Sequence, residues 1–433
     1  MIRTVAERAV LAILAVLPSA ARTAGDDAQA WREDLRFMAK EMERTHKNLY
    51  HTVSREQFAE KVAALDAKIP SLARHEVIVE LAKIVAAVGD GHTNLYPTRE
   101  PKIGFRSLPV AFTFFGDGLY VRAAHESQRA LVGGRVLRIG DRDVADAYSE
   151  VKAMIGRDNE WGAVYWAPHL LAMPEVLHAL RITASLEDVP LGVLIDGKDV
   201  KVVLHPFEPV RMMSGEIVRT FERRDGWVDA RDLSGRPDPP WLRRAGEAFH
   251  LETVGSVLYV QINQILDDAN ETLVHFAQRL HDEIASTKPE KVAIDLRLDR
   301  GGNGMLLVPI VRALIQSTSI DRKGRLFVII GPGTFSAAQM LVDSLEKNTN
   351  ATFVGEPTSS KGNAYGDSRK IVLPNSGLTV RASIYYWQDW HPMDDRDATI
   401  PQISAPLTID AYRANVDPAL QAIERAEIPE SSR

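Results

Sequence analysis

The stretch RLFVIIGPGTFSAAQMLVDSLEKN, residues 325–348, shows how this chain is built. It begins with an apolar run, rich in β-branched residues and ending at Ile330, which is typical of a buried strand. A turn of glycine and proline follows, and an amphipathic segment typical of a helix begins near Ser336. The hydroxyl of Ser336 either caps this helix, the commonest role of serine at such a position, or is a nucleophile presented by the turn.

The same alternation continues on both sides of this stretch. Between residues 254 and 357, strand-like and helical segments alternate, as in GSVLYVQINQI, NETLVHFAQRLHDEIAST, KVAIDLRL and MLLVPIVRALIQS. This pattern builds a layered α/β domain with a mainly parallel sheet, which we predict for residues 247–433. Within it, KIVLPNSGLTVRASIYYW predicts a hairpin about residues 375–377, and DPALQAIERA predicts a closing helix.

Three further regions precede this domain. Residues 25–93 carry apolar residues at helical spacing, with Ser54 and Gln57 as a capping box, and end at the turn GDGHT that holds His92. Residues 94–218 are short β-rich runs between glycine turns. One of these turns, at Asp196 and Gly197, predicts a hairpin. Residues 219–246 are charged and contain RPDPP, so we predict a connector or an exposed flap.

The composition excludes several classes of protein. Over 433 residues, 45% are hydrophobic and 25% charged, as in a soluble globular protein of two or three domains. The net charge of -6 and the lack of a long basic run argue against a nucleic-acid partner. The absence of cysteine excludes disulfides, thiolate metal sites and a cysteine nucleophile. No two histidines have metal-ligand spacing, so we expect neither a metal nor another cofactor.

Residues 1–24 have the pattern of a secretory signal peptide. Two arginines precede a short apolar stretch, and Pro18 and small residues follow it. We therefore expect a periplasmic or secreted protein, with a cytoplasmic amphipathic start as the alternative. We expect no membrane span after signal removal, because no other segment has the about 20 apolar residues that a spanning helix needs.

Three predicted strands end in turns of small residues: DLRLDRGGNG, IIGPGTFSAAQ and VGEPTSSKGNAYGD. In an α/β sheet the binding crevice lies outside the carboxyl ends of the strands, and small residues there let backbone N–H groups approach a substrate. The unpaired N–H groups of a helix N-terminus also stabilise an oxyanion. The hydroxyl of Ser336 and the amide of Ala337 are therefore candidates for a nucleophile and an oxyanion donor.

In combination, these motifs resemble those of the tail-specific, or carboxyl-terminal-processing, serine peptidases. DLRLDRGG at 295–302, TFSAAQ at 334–339 and VGEPTSSKG at 354–362 follow the order of that family's signatures. GDGHT after a helical unit is similar to the non-classical branch, related to the tricorn core protease and the interphotoreceptor retinoid-binding protein modules. The resemblance covers most of the chain from about residue 31. It implies a crotonase/Clp-like layered α/β catalytic domain, a helical unit and a small PDZ-like unit, to which residues 130–155 are similar.

The resemblance also assigns roles to particular residues. Ser336 matches the nucleophile, and the amides of Ala337 and of the glycine pair 301–302, Gly302 among them, match the oxyanion hole. Asp299 and Arg300 stand where the family motif has asparagine and a variable residue.

Two residues compete for the role of general base. Lys361 stands where one branch of the family has a lysine, although Tyr365 replaces that branch's glutamine; a lysine base must be desolvated, and this polar run predicts a solvated one. His92 matches the histidine of the tricorn-like branch and titrates near neutrality without special burial, so we favour it. That branch completes the arrangement with an acid, which matches Asp395, or its neighbour Asp394.

For three other polar residues near these motifs we predict no chemical step. Asp295 and Arg297 are expected to form structural bonds, and Glu356 is expected to be structural or to face the substrate. The resemblance implies a serine peptidase that hydrolyses a peptide or an unfolded protein through an acyl-enzyme on Ser336. Two alternatives stay open: a non-catalytic ligand- or peptide-binding module of the same fold, and a serine hydrolase acting on a non-peptide ester or amide.

Overall fold

A computed structural model describes residues 24–211 and 221–429 of the chain. The predicted signal peptide, residues 1–24, lies outside the described residues apart from Ala24, and so do the first two residues of the predicted connector. Within the described ranges, no helix is both long enough and apolar enough to cross a membrane.

Three helices form the first region, as predicted. They are α1 (Ala24–Thr45), α2 (Arg55–Lys68) and α3 (Arg74–Ala86). The predicted capping box starts α2: Ser54 Oγ accepts the N–H of Gln57, and Gln57 Oε1 accepts the N–H of Ser54, each at 3.1 Å. After α3 the chain turns at Gly89, whose φ is 88°, and enters the loop that carries His92.

The second region is β-rich and includes short helices. Its elements are β1 (Arg106–Ser107), β2 (Val110–Phe115), β3 (Gly118–His125), β4 (Arg135–Ile139), β5 (Arg142–Asp143), α4 (Val144–Lys152), α5 (Glu160–Leu170), α6 (Pro174–Ala179), β6 (Val189–Ile195), β7 (Lys198–Leu204), β8 (Glu208–Pro209), β9 (Trp227–Asp229) and α7 (Pro240–Arg243). The main sheet has the order β2-β3-β4-β6-β7, with β5 beside β4 and β9 beside β3, and all its pairs are antiparallel. The predicted hairpin turn between β6 and β7 is confirmed, because Asp196 and Gly197 both have positive φ, at 48° and 75°.

The described part of segment 219–246 is not an exposed flap, contrary to one of the two predictions. β9 pairs with β3, and the side chains of Asp229, Arg231 and Trp241 are buried. The proline-rich sequence suggested exposure, but the residues on either side of RPDPP fill the core between the second region and the α/β domain.

The α/β domain contains the predicted alternation of strands and helices. Its elements are β10 (Phe249–Val254), β11 (Val257–Ile262), α8 (Leu273–Thr287), β12 (Lys291–Asp295), α9 (Val308–Gln316), β13 (Leu326–Ile330), α10 (Ala337–Asn348), β14 (Thr352–Gly355), β15 (Asn363–Val372), β16 (Thr379–Gln388), β17 (Ile403–Ser404), α11 (Ile409–Arg413) and α12 (Pro418–Arg425). Six strands form one sheet in the order β10-β11-β12-β13-β14-β17, and every pair except β10 with β11 is parallel. β15 and β16 form the predicted hairpin. The fold class predicted from the sequence, mixed α/β, is therefore confirmed.

The sheet separates two hydrophobic cores. Because side chains alternate along a strand, Val292, Ile294 and Val328 pack into a core with α8, α9 and α10, whereas Ala293 and Phe327 face a larger core shared with the first two regions. Burying a valine or isoleucine side chain such as Val292 or Ile294 contributes about 1.5–3 kcal/mol to the free energy of folding. The carboxyl ends of β12 and β13 are thereby held against the loop that follows α3.

Candidate active site

Ser336 sits at a strained turn between β13 and α10. Its φ and ψ are 59° and −126°, values that a residue other than glycine adopts at a cost of about 1–3 kcal/mol. The turn is held in place by Thr334, whose Oγ1 accepts the N–H of Gly331 at 3.1 Å and donates to the carbonyl of Leu296 at 2.9 Å. Strain that the surroundings enforce in this way is typical of functional sites.

The side chain of Ser336 does not cap α10, although the residue occupies the N-cap position. Its Oγ instead lies 2.9 Å from Nε2 of His92. Of the two roles open for Ser336 in the sequence, the structure therefore shows the geometry of a serine and its base. The two residues come from distant parts of the chain, and the fold brings them together.

The loop that carries His92 is fixed by the buried carboxylate of Asp90. Asp90 Oδ1 accepts the N–H groups of His92 and Thr93 at 3.0 and 2.8 Å, and Oδ2 lies 2.9 Å from Nε2 of His46. Burial acts to raise the pKa of Asp90, but the hydrogen bond from His46 is among the contacts that keep it below its ordinary value. Asp90 therefore holds the backbone of His92 and does not contact its ring.

The imidazole of His92 is prepared to accept a proton. Desolvation by burial lowers the pKa of His92 to about 4, so the ring is neutral at neutral pH. It stacks on Phe335, with ring centroids 4.6 Å apart. Within the described residues, Nδ1 of His92 is buried and has no hydrogen-bond partner. With its proton on Nδ1, the ring presents the lone pair of Nε2 to the hydroxyl of Ser336.

Two predicted oxyanion donors lie beside Ser336. Gly301 has a φ of 99°, and a Cβ added to it would lie 2.8 Å from the backbone nitrogen of Ala337, so only glycine allows this approach. In the described part of the chain, no protein acceptor is hydrogen-bonded to the N–H of Gly302 or Ala337. Both residues border the same cavity as Ser336. Their amides are thus free to bind an oxyanion.

This cavity, which we call the serine cavity, has a volume of about 140 Å³, and His92, Gly302, Ser336, Ala337, Lys361 and Asp389 are among its lining residues. Lys361 therefore lies near the serine, but its ammonium group is 2.8 Å from the carboxylate of Asp397. Its side chain is 37% exposed, as the polar sequence around it predicted. Within the described residues no hydrogen bond joins Lys361 to Ser336, so the geometry favours His92 as the base.

The structure does not bring the predicted acid to His92. Asp394 is held by Trp390 Nε1 at 2.5 Å and by Arg396, and its pKa is lowered by these contacts, the Arg396 hydrogen bond first. Asp395, the next residue, is exposed and borders a neighbouring cavity on the other side of Lys361. Counting positions along the sequence could not show these contacts.

Asp158 is a site residue that the sequence did not indicate. Its Oδ1 accepts the N–H of Gly91 at 2.7 Å, and its Oδ2 accepts from Ser360 Oγ at 2.9 Å, so it joins the His92 loop to the turn after β14. Burial, together with the charge of Asp90, raises the pKa of Asp158 to about 6. Asp158 belongs to no motif, and the sequence around it carries no signal that could have identified it.

Asp299 explains one departure from the family motif. Its Oδ1 accepts the N–H of Gly301 at 2.7 Å, and its backbone carbonyl accepts the N–H of Phe335 at 3.1 Å, so it ties the glycine pair to the serine turn. Burial raises the pKa of Asp299 well above its ordinary value. This direction favours the uncharged carboxyl, which resembles the asparagine of the motif in shape.

The other polar residues at the strand ends have structural contacts. Arg297 forms ion pairs with Asp295 and Asp417, each at 2.8 Å, as predicted for a structural role. Glu356 accepts a long hydrogen bond, 3.4 Å, from the N–H of Leu407. Neither Arg297 nor Glu356 borders the serine cavity.

One cluster among the described residues has the atoms of metal ligands, within 4.8 Å of one another: His75, Glu76 and His178. These atoms already have protein partners, because His75 Nε2 and His178 Nδ1 are 2.9 Å apart and Glu76 pairs with Arg181 at 2.7 Å. The cluster does not border the serine cavity, and we assign it no part in the chemistry.

Comparison with known proteins identifies the fold. No protein-family model matches the chain, and no curated protein matches it in sequence. It is similar to mature CPAF complexed with lactacystin, at 13% identity and a TM-score of 0.57, over 92% of this chain and 97% of that one. The chain has the fold of CPAF.

Other solved structures extend this result. A second structure of mature CPAF matches at 14% identity and a TM-score of 0.55, over 92% of this chain and 96% of the other. The photosystem II D1 C-terminal processing protease matches over 94% and 98% at 13% identity, with a lower TM-score of 0.41. The chain is thus similar in fold to both structures of CPAF.

Proposed function

We propose that this chain is a serine peptidase that cleaves peptide bonds through an acyl-enzyme on Ser336. The observation that carries the proposal is the 2.9 Å contact between Ser336 Oγ and the neutral His92 Nε2. It is supported by the strained turn and by the unpaired amides of Gly302 and Ala337 beside it. A peptide substrate rests on the resemblance of the motifs to those of tail-specific peptidases.

Acylation begins when Ser336 Oγ attacks the carbonyl carbon of the scissile bond and its proton moves to His92 Nε2. The amides of Gly302 and Ala337 stabilise the oxyanion. His92 then donates the proton to the departing amine nitrogen as the C–N bond breaks. In the second half, water attacks the ester, its proton passes through His92, and the carboxylic acid product leaves Ser336. We assign neither Asp395 nor Lys361 a step in this sequence.

Labelling with a fluorophosphonate tests the proposal. The probe should modify folded wild-type protein at Ser336, located by mass spectrometry of its peptides, because an activated serine attacks phosphorus and displaces fluoride. The Ser336→Ala variant should not be labelled, and His92→Ala should be labelled much more slowly. Absence of an adduct on folded wild-type protein would overturn the assignment of Ser336 as a nucleophile.

We further propose that the protein is exported and loses a signal peptide, on the basis of the pattern in residues 1–24. The mature N-terminus should then lie near residue 25. Sequencing the N-terminus of protein isolated from its natural source measures this directly, and a protein that retains Met1 would contradict export by this route.

A further inference from the structure

Two carboxyl groups lie at the end of the serine cavity away from His92. Asp389 borders the cavity, and Asp343 lies behind Gly362, another residue of its lining. A Cβ added to Gly362 would lie 2.7 Å from Cβ of Trp390 and 3.3 Å from Asp343 Oδ1, so Gly362 is all that stands between the cavity and these two residues. Asp343 is only 2% exposed.

Neither carboxyl group is fully satisfied. Asp343 Oδ1 accepts from Gln339 Nε2 at 2.9 Å, but in the described part of the chain Oδ2 of Asp343 and Oδ2 of Asp389 are buried and have no hydrogen-bond partner. Burial raises the pKa of both groups, that of Asp343 to about 7. Buried polar atoms normally have partners, so an unpaired oxygen on a residue of the cavity wall and a second one on the carboxyl behind Gly362 indicate that a ligand completes them.

The nearby charges offset this pair only in part: the ammonium group of Lys347 acts to lower the pKa of both carboxyls, but burial outweighs it. Lys347 donates to the backbone carbonyl of Asp389 and lies over the ring of Trp390, while its side chain stays exposed. Lys361 at the cavity wall is paired with Asp397. Glu346, on the same helix as Asp343, is a further carboxylate, and it is paired with Arg396.

We infer that this end of the serine cavity binds the side chain of the residue that supplies the scissile carbonyl, and that it selects lysine or arginine. The inference rests on the proposed function and names its substrate class. In this proposal the leaving amine faces His92 and the acyl side of the substrate lies along α10, on the other side of Ser336. Asp343 lies two helical turns beyond Ser336, and this separation is about 10 Å at the rise of an α-helix. The side chain of lysine or arginine is long enough to reach from the reacting carbonyl to a carboxylate at this distance.

The experiment compares two peptide aldehydes of the same sequence, one ending in arginine aldehyde and the other in the uncharged, similarly shaped citrulline aldehyde. Each forms a reversible hemiacetal with Ser336 Oγ, and each therefore protects Ser336 from the fluorophosphonate probe. The inhibition constant obtained from this protection should be at least about tenfold lower for the arginine aldehyde, because only its guanidinium pairs with the carboxylates. The readout does not require a cleavable substrate.

The variants Asp343→Asn and Asp389→Asn should each remove most of this preference and leave the citrulline constant within about threefold of wild type. Asp282→Asn, which removes an exposed carboxylate of α8, is the matched control and should keep the full preference. Thermal unfolding checks that each variant folds. If Asp343→Asn does not fold, Asp389→Asn alone decides.

The outcomes separate the two proposals. If the probe does not label Ser336 of the wild-type protein, the peptidase proposal fails and the substrate assignment fails with it. If Ser336 is labelled but both aldehydes protect it equally, only the assignment of a basic side chain is overturned. This is the result expected if Asp343 and Asp389 are protonated and bind uncharged groups. A preference for arginine that survives in both Asn variants overturns the role of these two carboxyls.

Discussion

At the scale of the residue, the burial of His92, the base in the proposed mechanism, sets the pH range of the reaction. A histidine must be unprotonated to accept the serine proton, and burial lowers the pKa of His92 to about 4. We therefore expect kcat/KM to be lost only as the pH falls through about 4, and to stay flat from pH 6 to 8. A pH–rate profile measures this on a peptide whose scissile carbonyl belongs to an uncharged residue, because such a substrate does not depend on the titration of Asp343. An acid limb at pH 6.5 or above would contradict the assignment.

The two candidate bases can also be separated by substitution. His92→Ala should lower kcat/KM by about 100- to 10,000-fold, because it removes the proton acceptor of Ser336. Lys361→Ala should lower it only a few fold, since Lys361 is paired with Asp397 and does not contact the serine. Steady-state kinetics of both variants decide the question. Equal, small losses would mean that neither residue is the base.

Alanine substitution at Gly301 and at Gly197 separates the effect of backbone strain from that of a steric contact. A Cβ at Gly301 meets the backbone nitrogen of Ala337 at 2.8 Å, whereas a Cβ at Gly197 meets nothing within 4 Å, and both glycines have positive φ. Each substitution by alanine should cost stability, by about 1 kcal/mol for the conformation. Only Gly301→Ala should also slow fluorophosphonate labelling, because it displaces the amide of Ala337. Labelling that is equally fast in both variants would exclude a role for this contact.

At the scale of the element, Asp158 joins the loop after α3 to the turn after β14. Burial raises the pKa of Asp158 from 3.8 to about 6. Between pH 3.8 and about pH 6 the folded protein therefore binds more protons than the unfolded chain. Stability from this group is therefore present at low pH and is lost as the pH rises through about 6.

Asp158→Asn should be insensitive to this titration. Relative to wild type, the variant should gain up to about 3 kcal/mol in free energy of unfolding between pH 4 and pH 8. Urea unfolding of both proteins at the two pH values measures the difference. A difference that stays constant with pH would show that Asp158 does not titrate in this range.

The elements themselves were largely predictable from the sequence, and the contacts between them were not. The run of apolar residues before Gly331 and the helical periodicity after Ser336 gave the strand and the helix, because local spacing encodes both. The positive φ of Ser336 and the partners of Asp158 depend on residues far along the chain, and no local pattern reports them. For the same reason spacing matched Asp395 to the acid beside the histidine, although among the described residues Nδ1 of His92 has no hydrogen-bond partner.

At the scale of the whole molecule, the first region is attached to the α/β domain by a buried carboxylate. Asp34 of α1 is 0% exposed and accepts the N–H groups of Asn375 and Ser376, both at 2.8 Å, at the turn between β15 and β16. This attachment keeps the region that carries His92 in place beside the domain that carries Ser336. The sequence shows both ends of the contact only as a helix and a hairpin turn.

Asp34→Ala should therefore destabilise the protein by about 2–4 kcal/mol, because it leaves two backbone N–H groups unpaired in the interior. Glu33→Ala is the matched control: its exposed carboxylate also contacts Asn375, at 3.2 Å, and its loss should cost no more than about 0.5 kcal/mol. Urea unfolding gives both values, and fluorophosphonate labelling of folded protein reports on the site. If Asp34→Ala is as stable as Glu33→Ala, the attachment of the helical region relies on its apolar contacts alone.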